Sequence, residues 1–179
     1  IRSHIQSPSL SFYDYDLYIT GNETAKYTHK FREEFANMFC EFVTSLYDKM
    51  LVASHGLDPR DVIKCEIEIL NAMNSSSEDD SPDFYNIVSI NDSEKKLGFD
   101  WRKFAEGIGF NSEDVPKSYI TGSKSYIKSI MTTLGSQWKT PKWKAYWYYM
   151  YLRQFCLYNK ETRALRYNFF KKFARGQPG

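Results

Sequence analysis

The chain has 179 residues, with 24 Lys or Arg against 22 Asp or Glu, a formal charge of +2, 42 % apolar residues and three cysteines. The apolar share excludes wholesale disorder, and the length suffices for one domain with a sizeable core or two small lobes. Cys40, Cys65 and Cys156 are too few for a disulfide-built scaffold and leave one thiol unpaired within the chain, and no run approaches the roughly 20 apolar residues that cross a bilayer.

Aromatic residues are plentiful, with 13 Phe, 14 Tyr and 4 Trp. Such rings bury large areas, and Tyr and Trp ask for a hydrogen-bond partner inside, so an aromatic core with wet edges is expected. Residues 1–22 hold Pro8 and alternate Tyr with Asp from Tyr13 to Tyr18, which reads as an extended arm. Residues 23–179 read as one helical domain. Its first helix carries Tyr27, Phe31, Phe35, Met38, Phe39, Phe42, Leu46 and Met50 at steps of three and four, one face of a long amphipathic helix. His29, Lys30, Glu33, Glu34 and Asn37 fall on the other side.

A second helix starts where Asp58 serves as N-cap, Pro59 suits the first turn and Asp61 puts negative charge there. Ile63, Ile67, Leu70 and Met73 form its expected buried stripe. Residues 74–83, rich in Ser, Asp and Glu, read as a polar loop whose acids Glu78, Asp79, Asp80 and Asp83 keep it solvated. Asn91 to Ser93 caps a short helix closing at Gly98, and Asp100 caps another holding Trp101, Phe104 and Ala105, which closes near Gly107–Gly109. Residues 118–121 read as extended. Ser125 then caps a helix with Tyr126, Ile127, Ile130, Met131 and Leu134 inward. Thr140-Pro141 opens the next, with Trp143, Tyr146, Trp147, Met150 and Leu157 on one side. A last helix over 162–174 buries Leu165, Phe169 and Phe173 and stops at Gly176. The fold class is all-α: an irregular domain of about six to seven helices with little strand.

Chemistry-bearing motifs are sparse. Thermolysin-type zinc needs two imidazoles on one helix turn, H-E-x-x-H, whereas His4, His29 and His55 stand far apart and read as solvated. No C-x-x-C pair or G-x-S-x-G elbow occurs, and Gly107-Ile108-Gly109 lacks the strand and third glycine of a dinucleotide loop. Cys40 and Cys65 read as small packed hydrophobes. No catalytic, cofactor-binding or metal residue is therefore assigned. The sequons at Asn22, Asn74 and Asn91 are candidate glycosylation acceptors if the chain passes through a secretory lumen. From Gln137 onward ten Lys or Arg face one acid, Glu161. Lys171, Lys172 and Arg175 are the candidate basic surface. Cations interleaved with rings can take phosphates and stack bases. The favoured expectation is instead that the rings are buried and the cations snorkel.

The order of motifs resembles the neprilysin and endothelin-converting-enzyme family of zinc metallopeptidases. The resemblance rests on Tyr13–Tyr18, the aromatic period Tyr27–Phe42, Glu66-Ile67-Glu68, Tyr85-Asn86 and Phe99-Asp100-Trp101. It continues through Tyr126-Ile127 to Leu134, Trp143-Lys144-Ala145-Tyr146, and Phe169 to Gly176. It implies part of the non-catalytic helical lobe that roofs the catalytic chamber, the zinc ligands and general base coming from a later segment. Zinc would then belong to that catalytic half, with no cofactor in this chain, and an extracellular or membrane-anchored ectodomain is implied. The chain begins at Ile1 rather than Met and shows no signal peptide, so it reads as a piece of something longer. The expected partner is protein: the rest of a peptidase, or neighbours in an assembly. Two other readings stay open, a structural protein repurposed from such a domain, such as a capsid or coat component of a large virus, and a nucleic-acid binder using the basic C-terminal third.

Overall fold

The computed structural model describes residues 26–52, 55–73, 80 and 85–174, with side chains placed within 33–171. Among the described residues are seven helices and one two-stranded sheet. The mostly helical class is as expected from the sequence. The arm at 1–22 lies outside the described residues. Among the described residues the region read as one helical domain divides into two compact units, 68–138 on one hand and 26–67 with 139–174 on the other.

The second unit is built around α1 (Lys26–Met50), the first part of α2 (Pro59–Met73), α6 (Pro141–Phe155) and α7 (Lys160–Ala174). The aromatic period of α1 is buried at Phe35, Phe39, Phe42 and Leu46, joined by Val43 and Tyr47, while Met38 and Met50 are half-buried and the side chains of Tyr27 and Phe31 lie outside the described residues. Phe39 meets Tyr149 edge-on at 5.4 Å, and Phe42 stacks on Phe169 at 5.0 Å. Offset and edge-on arrangements of this kind add to area burial. The Tyr47 hydroxyl donates to the Ala145 carbonyl at 2.7 Å, tying α1 to α6.

Helix α2 starts as its sequence dictates, the Asp58 carboxylate accepting from the Arg60 N–H at 2.9 Å. Its buried face, however, differs from the expected stripe. Val62, Cys65, Glu66, Ile69 and Ala72 are buried, whereas Ile63, Ile67 and Leu70 are half-buried and Met73 is exposed. The inward row therefore runs through a carboxylate, a residue that hydropathy assigns to the outside. Glu66 lies by Tyr146. Burial first, and then that carboxylate, push the Tyr146 phenol well above its ordinary range and keep it protonated.

In the first unit, β1 (Asn86–Ser89) pairs antiparallel with β2 (Ser118–Thr121), Asn86 opposite Thr121 and Ser89 opposite Ser118. The extended reading of 118–121 holds, and β1 is an addition to it. Helix α3 (Ile90–Leu97) is capped by Ser89, not by Asn91–Ser93. The Ser89 hydroxyl accepts from the Asp92 N–H at 3.1 Å. Gly98, at φ 69°, closes it in the left-handed region, which suits a residue without Cβ. Asp100 caps α4 (Trp101–Gly107), accepting from the Lys103 N–H at 2.9 Å.

Trp101, Ala105, Leu97, Val88, Val115 and Tyr119 form the core of this unit. Trp101 stacks on Tyr119 at 4.6 Å and donates its indole N–H to the Pro116 carbonyl at 2.8 Å. Phe104, on the same helix, is exposed. Helix α5 (Lys124–Gln137) is capped by Ser123 rather than Ser125, its hydroxyl accepting from the Tyr126 N–H at 2.9 Å. Ile130 is its buried residue, and Tyr126, Ile127, Met131 and Leu134 are half-buried.

Asp80 overturns the solvated-loop reading at its own position. Its carboxylate accepts from the Ser123 hydroxyl at 3.0 Å, from the Lys124 N–H and from both the N–H and hydroxyl of Ser125. Burial acts to raise this carboxyl, but those hydrogen bonds outweigh it and hold the group below its ordinary range. Glu78, Asp79 and Asp83 lie outside the described residues.

Candidate contact surface on the C-terminal helices

Helix α6 has an unusual circumference. Its fifteen residues include Trp143, Tyr146, Trp147, Tyr148, Tyr149, Tyr151 and Phe155, with Lys142, Lys144 and Arg153 and no acid. Trp143, Ala145, Tyr146, Tyr149 and Leu152 are buried, and Cys156 follows them inward. At 100° per residue these positions occupy one side of the helix. Lys144, Trp147, Tyr148, Tyr151 and Phe155 occupy the other.

The expectation that the rings of this segment are buried therefore holds for only part of them. Trp147 is 41 % exposed, Tyr151 62 % and Tyr158, in the turn after α6, 87 %, while Tyr148, Phe155 and Leu157 are exposed as well. The physical reason is packing: α6 has more rings than one buried side accommodates, and Ala145, Tyr149, Leu152 and Cys156 fill places that Trp147 and Leu157 were expected to take. Trp147 packs on Trp143 at 5.3 Å and edge-on to Tyr146, so its inner side is covered. Tyr151 and Phe155 lie 4.5 Å apart, and Phe155 and Tyr158 6.3 Å apart. The Lys144 ammonium lies 5.9 Å from the Tyr148 ring centroid, a cation–π approach.

The cations of this region divide into two groups. Arg166 donates to the Arg153 carbonyl at 3.1 Å and lies over the Phe170 ring at 5.2 Å. Arg153 reaches the Met150 sulfur at 3.8 Å. These two pack their apolar stems and planes along the helices. Lys144, Lys160 and Arg163 are exposed. Glu161, the single acid, accepts from Lys49 at 2.8 Å, which holds its carboxyl below the ordinary range through that hydrogen bond and the lysine's charge. Lys171 is half-buried, and the side chains of Lys172 and Arg175 lie outside the described residues.

The remaining candidates are placed as follows. Asn22 and Asn74 lie outside the described residues. Asn91 is exposed on α3, but its sequon hydroxyl, Ser93, is fully buried. Ser93 donates to the Phe99 carbonyl at 2.6 Å and pairs with the Tyr119 hydroxyl at 2.9 Å. With its proton on Phe99, Ser93 accepts from Tyr119. His4 and His29 lie outside the described side chains. His55, expected to be solvated, is instead half-buried, edge-on to Tyr47 at 5.3 Å. Its Nδ1 accepts from the Leu57 N–H at 3.1 Å, so Nε2 bears the proton and faces Asp48 at 3.4 Å. The ring organises the turn before α2.

Cys40, Cys65 and Cys156 are free thiols, Cys65 and Cys156 fully buried and Cys40 half-buried. Burial raises the Cys40 thiol. Among the described residues no three His, Cys, Asp or Glu converge as metal ligands, and no helix is long and apolar enough to cross a membrane. Comparison of the chain with protein-family models, with curated proteins and with solved structures gives no match.

Proposed function

We propose that this chain is a non-catalytic helical domain of neprilysin type, a chamber-roof or scaffold element that works by contact with other protein rather than by chemistry of its own. One observation carries the reading. Apart from Tyr13–Tyr18, which lies outside the described residues, the segments on which the resemblance rests each place a member in the interior: Phe35, Glu66, Asn86, Trp101, Ile130, Trp143, Tyr146 and Phe169 are all buried. Residues that act on a substrate must be reachable, whereas residues that define a framework are enclosed. These motifs therefore behave as framework.

The exposed ring-bearing face of α6 also suits the second reading, a structural or assembly protein built from the same domain, such as a viral capsid or coat component. The nucleic-acid reading has less support, because Arg153 and Arg166 spend their guanidinium groups on internal contacts.

Two measurements test the proposal. The purified chain is assayed for bound zinc and for cleavage of a quenched fluorescent peptide. The expected result is zinc far below one ion per chain and no chelator-sensitive cleavage; near-stoichiometric zinc with such cleavage refutes the proposal. Reading the coding sequence on both sides of these residues then separates its two forms. An H-E-x-x-H segment in the same gene supports the peptidase roof, and its absence favours the assembly protein.

A further inference from the structure

We infer that the exposed face of α6 docks an acidic amphipathic helix of a partner protein. The inference rests on the contact-domain reading above and names the partner's chemistry. Trp147, Tyr151 and Phe155 follow one another at four-residue steps, with Tyr148 beside them and Tyr158 continuing the row. Taking roughly 200 Å² per ring, these five expose about 550 Å², at the upper end of the largest apolar patch found on ordinary monomers. A straight row of large side chains along a helix forms a ridge. Ridges are met by the grooves of another helix, whose apolar residues recur at three- and four-residue steps.

Charge selects among possible occupants. Lys144 stands within the row, and Lys160 and Arg163 are exposed just beyond the turn that carries Tyr158. No acid lies on α6, and Glu161 is engaged by Lys49. Carboxylates flanking the partner's apolar stripe complement this surface and speed encounter. The same face of a second copy would bring the same cations, with no acid on its α6 to meet them. A single-stranded nucleic acid needs open ring faces for its bases, whereas Tyr151 and Phe155 lie against one another with centroids 4.5 Å apart.

The test uses the full 179-residue chain as bait for a displayed library of roughly 20-residue helical peptides with randomised surfaces. Selection is countered with a Tyr151→Ser, Phe155→Ser variant, whose altered side chains are exposed and whose fold is checked by circular dichroism and thermal melting. Enriched peptides are expected to carry net negative charge and a helical apolar stripe. Their affinity should fall at least roughly tenfold on the double variant. Lys144→Glu should weaken them and shift preference toward peptides with Lys in place of Glu.

Enrichment of neutral or basic peptides, affinity unchanged by the double variant, or no enrichment over it would overturn the inference. So would tighter binding of a single-stranded oligonucleotide that needs Tyr151 and Phe155, or a dimer in sedimentation that the double variant abolishes. Cleavage of a captured peptide would sink the non-catalytic reading while leaving the docking face standing.

Discussion

Replacing Ser93 by Ala tests how tightly the core of the first unit is specified, because one hydroxyl there serves two partners. It donates to the half-buried Phe99 carbonyl at 2.6 Å and accepts, in the interior, from the Tyr119 hydroxyl at 2.9 Å. The Phe99 carbonyl keeps the Trp101 N–H at 3.0 Å, so losing Ser93 costs that carbonyl about 1 kcal/mol. The Tyr119 hydroxyl has no such reserve and is left buried without an acceptor, worth about 1–3 kcal/mol. Ser93→Ala should therefore destabilise by about 2–4 kcal/mol, a large effect for the removal of one oxygen.

Tyr119→Phe should cost only about 1 kcal/mol, because Ser93 still donates to Phe99. In the double variant no hydroxyl is orphaned, so its cost should fall short of the sum of the two by about 1–2 kcal/mol. Urea unfolding followed by far-ultraviolet circular dichroism, with all four proteins fitted to a common slope, measures this. Additive costs, within about 0.5 kcal/mol, would refute the directed chain from Tyr119 through Ser93 to Phe99. Ser93 is also the hydroxyl of the Asn91 sequon, so a glycosylation test that leaves the core intact uses Asn91→Gln.

Two further predictions concern packing and pH. Trp143→Ala should destabilise by about 3–5 kcal/mol as a fully buried aromatic truncation, and Trp147→Ala, with much of its ring in solvent, by about half of that. Urea midpoints in the reverse order would show that the faces of α6 are misassigned. Asp80→Asn should cost about 1 kcal/mol near neutral pH, because the amide offers one acceptor where the carboxylate offers two. The folded state holds this carboxyl below its ordinary 3.8. Its advantage is therefore complete above that value and is lost as pH falls through the lower, folded one. The gap in melting temperature between wild type and variant should stay level above about pH 5 and close below about pH 4; a gap that widens toward acid would contradict it.

What the sequence determined by itself about this protein is mostly local. Helix starts at Asp58-Pro59, Asp100 and Thr140-Pro141, and the stop at Gly98, follow from groups that act within one turn, so they are visible residue by residue. The inward face of α1 was legible for a related reason, since its rings lie on one stripe and its charges on the other. Tertiary structure decided the rest. Strand β1 exists because Asn86 meets Thr121, 35 residues away, and no local pattern announces such a pairing. The inward row of α2 includes Glu66, which only its neighbours in the fold can make tolerable, and Asp80 finds its role at the start of a helix more than 40 residues later. Most consequential for function, α6 carries rings around nearly its whole circumference, so helical periodicity cannot tell which are core. Packing against its neighbours chose Trp143, Tyr146 and Tyr149, and left Trp147, Tyr148, Tyr151 and Phe155 to face outward. The candidate surface is what remains when a finite core has taken the rings it can hold.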